Sequence, residues 1–312
     1  MTTESLRVAR VARVAKVAPR RRRPSALRSL SWAYIIAVIA VTAFPFYWML
    51  RTALSNNYAL DTKPSSLLPV GLTLGPFERV FGLATPAQAI AQGGSGASVP
   101  FARAFLNSVI YASVVTACVV FFSALAAYAF ARLEWRGRSI MFRLVLFALM
   151  VPGLMTFLPN FLFIKDLGLL NTYPGLILPG ALFSAFDIFF LRQFMLGLSR
   201  EIEEAALIDG AGKLRILFRI SIPLTSGPIA TLCILGFISM WNDYFWPLLV
   251  TSNNEMAPLT LALGVFQQAS PESMPDWAGL MAATLVSALP MLVLFMICGR
   301  KIINSIGFTG MK

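Results

Sequence analysis

The sequence contains no histidine and only three cysteines, and its 312 residues include just 14 aspartates and glutamates. Without histidine, a histidine-ligated metal site and a histidine general base are both excluded. The cysteines lie inside apolar runs without disulfide or metal-ligand spacing, so we interpret them as small buried residues. They are Cys118, Cys233 and Cys298. No metal site and no catalytic cluster is predicted, and a membrane enzyme is the weakest functional interpretation.

Charge of either sign is scarce. Charged residues make up 13% of the chain and hydrophobic residues 57%, with a mean hydropathy of +0.73. A soluble globular protein is excluded by this composition, which indicates a protein of the lipid bilayer. The charge that is present is mostly positive, since the net charge is +12.

Six apolar runs are long enough to cross about 30 Å of hydrocarbon as helices. They are residues 30–50, 105–131, 140–164, 173–191, 224–250 and 277–299. The first run ends in aromatic residues where a signal peptide would need small ones, so we interpret it as an uncleaved span. We predict an all-α, multi-pass protein of the cytoplasmic membrane with six transmembrane helices. The run at residues 173–191 is interrupted by two Pro-Gly pairs.

Basic residues set the predicted orientation. Residues 1–29 form a basic tail that contains the sequence RVARVARVAKVAPRRRRP. Because a membrane span follows directly, we predict that this tail contacts anionic lipid rather than nucleic acid. Placing this tail in the cytoplasm puts 21 of the 26 Lys and Arg residues inside, as the positive-inside rule requires. Both termini are therefore predicted to be cytoplasmic, with residues 30–312 forming the transmembrane domain.

Two external loops follow from this topology. Residues 52–104 are rich in Pro, Gly and Ser, so we predict an irregular loop with one short helix near residues 77–81. Residues 251–276 carry Glu255, Glu272 and Asp276 and no basic residue. This second loop is either a docking surface for a partner or a solvated linker.

The polar segment 200–223 lies between two apolar runs on the cytoplasmic side. Ser199 is placed as an N-cap, and the helix should end near Asp209, where Gly210 tolerates a positive φ. Three acidic residues suit the first turn of this helix, Glu201, Glu203 and Glu204. A second helix should present one apolar face, formed by Leu214, Leu217 and Phe218, opposite Arg215 and Arg219.

The same segment carries a recognisable motif. Three residues separate Glu204, Ala205 and Ala206 from Gly210. After nine further intervening residues the chain reads Ile-Ser-Ile-Pro, from Ile220 to Pro223. This spacing resembles the EAA loop of the transmembrane subunits of ABC importers, although Ile222 stands where leucine is usual. In that family the loop is a coupling helix that docks in a groove of a separate ATPase. The alternative is an amphipathic connector between two membrane helices.

The resemblance implies roles for individual residues. Glu204 and Asp209 would be held by cationic groups of the ATPase, Gly210 would set the bend, and Leu214, Leu217 and Phe218 would fill the groove. The nearby GAGKL at residues 210–214 is not a phosphate-binding loop, because the earlier glycine and the Ser or Thr after the lysine are missing. This chain is therefore expected to bind no cofactor, with ATP and Mg on the partner ATPase.

Further segments resemble the carbohydrate branch of these permeases, in particular the maltose-permease-G-like partner, from about residue 105 to the end. They are ARLEWRGRSIMF, LGLLNTYPGLILP, LRQFM, WNDYFWPLL and the terminal GFTGMK. The resemblance implies transport of a sugar or polyol with a second permease subunit, two ATPase subunits and an extracytoplasmic solute-binding protein.

Polar residues inside predicted spans are further candidates. Asn242, Asp243 and Tyr244 are placed to line a translocation path, although aromatic residues near a bilayer surface also serve as interfacial anchors. The alternative function is an ion-coupled secondary transporter that uses Asp187 and Asp243 as coupling carboxylates. Such proteins usually contain two related halves, and no internal repeat is evident here.

Overall fold

The computed structural model describes residues 26–94, 100–182, 184–264, 266 and 275–307. Most of the basic tail, Glu272 in the second external loop and the GFTGMK ending from residue 308 onward lie outside the described residues. The chain divides into two units, residues 1–48 and 49–312. Within the described residues every regular element is helical, in agreement with the predicted all-α class.

The first helix, α1, covers Ala26–Ala53, and its apolar side chains are exposed from Leu30 to Tyr47 and at Leu50. The following helices are α2 Asn57–Thr62, α3 Gly75–Val80, α4 Pro86–Ala91, α5 Phe101–Arg132, α6 Arg138–Ala148, α7 Gly153–Asp166, α8 Tyr173–Ile177 and α9 Ala185–Leu196. The remainder are α10 Arg200–Ile208, α11 Lys213–Ile216, a π-helix Leu217–Ser221, α12 Ile222–Leu224, α13 Ser226–Trp241, α14 Phe245–Val250, α15 Leu259–Ala262 and α16 Trp277–Gly307.

Among these helices, three are long and apolar enough to cross a membrane: Arg28–Ala53, Phe101–Arg132 and Trp277–Ile297. Two bent pairs raise the number to five if each pair is one span. Arg138–Ala148 and Gly153–Asp166 meet at 98°, and Lys213–Leu224 and Ser226–Trp241 meet at 77°. The predicted count of six spans and the cytoplasmic termini stay predictions.

Three predicted spans are wrong as continuous helices. The run 140–164 breaks before Pro152, whose ring disfavours helical backbone at Val151. The run 173–191 is divided into α8 and α9 around Pro179 and Gly180. The run 224–250 breaks between α13 and α14, at the polar residues 242–244.

Helix α5 lies at the centre of the second unit. It packs against α8, α9, α13, α15 and the π-helix. Small buried residues on α5, among them Ala112, Ala124 and Ala127, allow these neighbours to approach closely. At its cytoplasmic end, as predicted by orientation, α5 packs with α9, α13 and the π-helix through a cluster that we call the loop-base core. Its buried members are Val120, Ala124, Ala127, Tyr128, Ala131, Leu191, Met195, Ile216, Leu217 and Leu232.

Residues 52–104, the predicted first external loop, are more ordered than expected, since they contain α2 and α4 besides the predicted short helix, α3. Arg79 on α3 forms a bidentate ion pair with Asp276, with Nε–Oδ2 at 3.0 Å and Nη2–Oδ1 at 2.9 Å. Arg79 also donates to the Gln92 side chain at 2.8 Å, which joins α4 to the same site. Asp276 is fully buried, so of the loop 251–276 this residue is neither solvated nor available as a docking surface.

Candidate functional site: the loop 200–223

The predicted helix and turn are present in segment 200–223. The Ser199 side chain accepts a hydrogen bond from the Glu201 backbone N–H at 3.2 Å and caps α10. Asp209 ends the helix, and Gly210 adopts φ +79°, a left-handed conformation that favours glycine. The amide of Ala211 then donates to the Ala206 carbonyl at 2.9 Å, which closes the turn.

The far end of this hairpin exposes apolar side chains. Ile208 is 87% exposed, and Leu207 and Leu214 beside the turn are exposed as well. Glu204 and Asp209 are exposed on the same helix or its cap. The surface formed by Glu204, Leu207, Ile208, Asp209 and Leu214 is called the hairpin tip below. The sequence analysis did not identify Leu207 and Ile208. The available signal was two apolar residues directly before the turn that ends an acidic, polar helix.

The other motif residues divide between the hairpin surface and its base. Ala205 is exposed, whereas Ala206 is half-buried against the loop-base core. Pro223 is exposed in the first turn of α12. Phe218 is partly exposed and stacks on Phe121 of α5, with ring centroids 6.4 Å apart.

Leu217 contradicts the prediction of a single apolar face. It is 1% exposed and belongs to the loop-base core, so it is not available to fill a partner's groove. Its neighbour Ile216 is buried in the same core, so this side of the return arm packs on the bundle, while Leu214 and Phe218 are exposed. The return arm also changes from α-helix to π-helix at Leu217.

A buried ion pair supports the base of the hairpin. Arg132, the last residue of α5, places Nε 3.2 Å from Oε1 of Glu203, and the two side chains are only 4% and 13% exposed. The guanidinium Nη2 also donates to the carbonyls of Met195 and Leu198, the latter at 2.7 Å, at the C-terminal end of α9. Glu203 additionally accepts a hydrogen bond from the Ser221 hydroxyl at 3.4 Å.

The three predicted path residues occupy different environments. Asp243 accepts a hydrogen bond from the Tyr111 hydroxyl at 2.7 Å, and its other oxygen lies 3.5 Å from the Trp246 amide at the start of α14. Asn242 donates back to the Ile238 carbonyl at 2.8 Å. Both side chains thus satisfy backbone or buried groups where α13 ends, which is a structural use of polarity in an apolar environment.

Tyr244 lines a cavity of about 440 Å³ together with Thr260 and Thr284. The rest of the lining is Met49, Leu263, Gly264, Leu280 and Met281. Of the three candidates, Tyr244 is the one in this lining. The predicted assignment of Asn242, Asp243 and Tyr244 to a translocation path stays a prediction.

Asp187, the other carboxylate considered for ion coupling, lies in the first turn of α9. Its backbone N–H donates to the Ser184 side chain at 3.3 Å. An acidic residue at this position interacts favourably with the positive end of the helix dipole. The local structure therefore gives Asp187 a role in beginning α9, on a different element from Asp243.

Known proteins resemble this chain over most of its length. The permease AraQ of the arabinooligosaccharide transport system of Bacillus subtilis is 32% identical over 270 residues, covering 86% of this chain and 90% of that protein. The sn-glycerol-3-phosphate permease UgpE of Yersinia pestis is 35% identical over 210 residues, covering 67% and 74%. A chain of a bacterial ABC transporter that imports alginate has the same fold, with a TM-score of 0.73, 24% identity and coverage of 91% and 99%.

The family model named binding-protein-dependent transport system inner membrane component matches residues 119–306. This match covers more than half of the chain and includes α9, the hairpin and α13. Together with the relatives above, it confirms the predicted family and a multi-pass location in the cytoplasmic membrane. The chain belongs to the inner membrane components of binding-protein-dependent ABC transport systems.

Proposed function

We propose that this chain is one of two permease subunits of an ATP-driven importer for a sugar or related polyol. Segment 200–223 connects it to a separate ATPase, which binds ATP and Mg and hydrolyses the ATP. An extracytoplasmic binding protein delivers the substrate. The six spans and the cytoplasmic position of both termini are part of this proposal.

The hairpin tip is the observation that carries the proposal. Ile208 and Leu214 are exposed on the same short polar segment as the exposed Glu204 and Asp209. Exposed apolar groups with adjacent charges are typical of a protein-binding surface, because burial supplies affinity and charge supplies specificity. A partner with a hydrophobic groove rimmed by arginine or lysine would match this surface.

The carbohydrate class is supported by the relatives. AraQ is named for arabinooligosaccharides, and the structural neighbour is involved in alginate import. UgpE is named for sn-glycerol 3-phosphate, a phosphorylated polyol. These names support a sugar or related polyol as the proposed substrate.

The proposed mechanism uses the hairpin as a mechanical connection. When ATP binding draws the two ATPase subunits together, the docked hairpins move with them. Because the hairpin is packed on the ends of α5, α9 and α13, this movement changes the arrangement of the spans between inward-open and outward-open states.

Glu204→Lys tests the docking surface. It replaces an exposed carboxylate by a cation, so loss of one charge-assisted contact worth about 1.5–3 kcal/mol weakens ATPase binding at least about tenfold. The measurement is the amount of ATPase that copurifies with the permease in mild detergent. Glu201→Lys, an exposed position in the first turn of the same helix, is the control and should retain the ATPase.

Uptake into membrane vesicles separates the proposal from ion-coupled transport. The proposed importer stops when ATP is withheld and continues when ionophores collapse the ion gradients. Uptake that continues without ATP and stops with the ionophores would instead support the secondary transporter.

A further inference from the structure

We propose that the Arg132–Glu203 ion pair is a positioning element that fixes the direction in which the hairpin leaves the membrane bundle. This inference rests on the proposed function, since a fixed hairpin direction matters to transport only if an ATPase binds the tip. Arg132 and Glu203 do not belong to that tip: both side chains are nearly buried at the opposite end of the hairpin.

The pair joins four segments of chain at one point. Arg132 ends α5, and its Nη2 reaches two carbonyls, those of Met195 and Leu198, at the C-terminus of α9. The final carbonyls of a helix lack partners within the helix, and a cation near them is favourable. Arg132 therefore attaches the end of α9 to the end of α5.

Glu203 extends the connection to both arms of the hairpin. It lies in the first turn of α10, where a carboxylate suits the helix N-terminus, and it faces Arg132 at 3.2 Å. Its Oε1 also accepts from the hydroxyl of Ser221, the fully buried last residue of the π-helix in the return arm. One carboxylate thus contacts the outgoing arm, the return arm and α5.

Apolar packing also holds the base of the hairpin: Ile216 and Leu217 are buried in the loop-base core, and Ala206 and Ile220 pack against it. The hydrophobic attraction in these contacts is non-directional. The Arg132 guanidinium is planar and rigid, and its Nη2 is held by hydrogen bonds to two carbonyls, so its orientation is restricted. Its Nε faces the Glu203 carboxylate at 3.2 Å as an ion pair without hydrogen-bond geometry. Removing either partner leaves a buried charge without its counterion, which is strongly unfavourable.

The test measures the hairpin direction in the full-length permease in lipid nanodiscs. Spin labels at Ile202→Cys on α10 and Phe122→Cys on α5, both exposed positions, report the distance between hairpin and bundle. The native cysteines are replaced by serine. We expect Glu203→Gln and Arg132→Met to broaden the distance distribution at least twofold, and Ser221→Ala to broaden it less.

Two control variants separate positioning from stability. Glu201→Gln removes an exposed carboxylate from the same turn and should leave the distribution unchanged. Leu232→Ala weakens the loop-base core without touching the ion pair, so it should lower the thermal midpoint and leave the distribution width unchanged. Arg132→Lys keeps the cation but loses the fork, and should restore the width only in part.

Copurification of the ATPase with the same variants distinguishes failure of this inference from failure of the proposed function. If the parent chain captures an ATPase and the Glu203→Gln and Arg132→Met distributions match the parent, the positioning role is wrong and the proposed function stands. If the parent captures no ATPase, the proposed function is wrong whatever the distributions show. If Arg132→Met does not fold, Glu203→Gln, which keeps the shape of the side chain, decides the question.

Discussion

Gly210 and Gly212 lie two residues apart in the hairpin and differ in backbone conformation. A Cβ atom at either position would meet no other atom within 4 Å, so space does not distinguish them. Gly210 has φ +79°, whereas Gly212 has φ −73° and ψ 160°, an extended conformation that any residue adopts. Any difference between substitutions at these positions therefore reports backbone strain alone.

We expect Gly210→Val to impair the hairpin and Gly212→Val to be tolerated. Valine in a left-handed conformation costs about 1–2 kcal/mol or more, which favours a rearranged turn and a displaced tip. The measurement is the fraction of permease that retains ATPase during purification, which should fall several-fold for Gly210→Val. Equal retention by the two variants would show that the turn tolerates rearrangement.

At the scale of an element, the external loop depends on one buried ion pair. Asp276 both pairs with Arg79 and accepts a hydrogen bond from the Gly279 amide at 2.8 Å, at the start of α16. Asparagine retains the capping ability of aspartate, so Asp276→Asn removes mainly the charge opposite Arg79. The substitution leaves a buried guanidinium without its counterion, at a cost of about 3–5 kcal/mol.

This cost should lower the thermal unfolding midpoint by at least about 6 °C, followed by tryptophan fluorescence of the detergent-purified protein. Glu255→Gln is the matched comparison, because Glu255 pairs with Arg103 at 3.5 Å with side chains that are 69% and 52% exposed. An exposed pair contributes at most about 1 kcal/mol, so its midpoint should shift by no more than about 4 °C. Similar shifts for both variants would mean that burial does not set the strength of the Arg79 pair.

Local features of the elements were predictable from sequence, and distant ones were not. The Ser199 cap and the turn at Gly210 depend on residues within a few positions of each other, so a short stretch of sequence is enough to predict them. The Arg79–Asp276 pair joins residues 197 positions apart, and no short pattern identifies such partners. Leu217 was misassigned because helical spacing does not show which side of the return arm packs on the bundle, where Ile216 and Leu217 are buried together.

At the scale of the whole molecule, the orientation in the membrane can be tested by chemical labelling. Ile208→Cys in the hairpin and Leu83→Cys in the external loop are both exposed, and the native cysteines can be replaced. The distribution of basic residues predicts that a membrane-impermeant maleimide labels position 83 in intact cells and position 208 in inverted vesicles. Labelling of both positions from one side would overturn the proposed topology and the cytoplasmic hairpin.

The close packing around α5 has a consequence for how motion crosses this molecule. Buried alanines bring neighbouring helices near, and even one methyl group at Gly236 of α13 would come within 3.2 Å of Thr116 on α5. Such closely packed interfaces leave little freedom for one helix to rotate against its neighbour. A displacement of the hairpin should therefore move α5, α9 and α13 together as one rigid body. It should not be absorbed by small side-chain shifts that decrease along the helices.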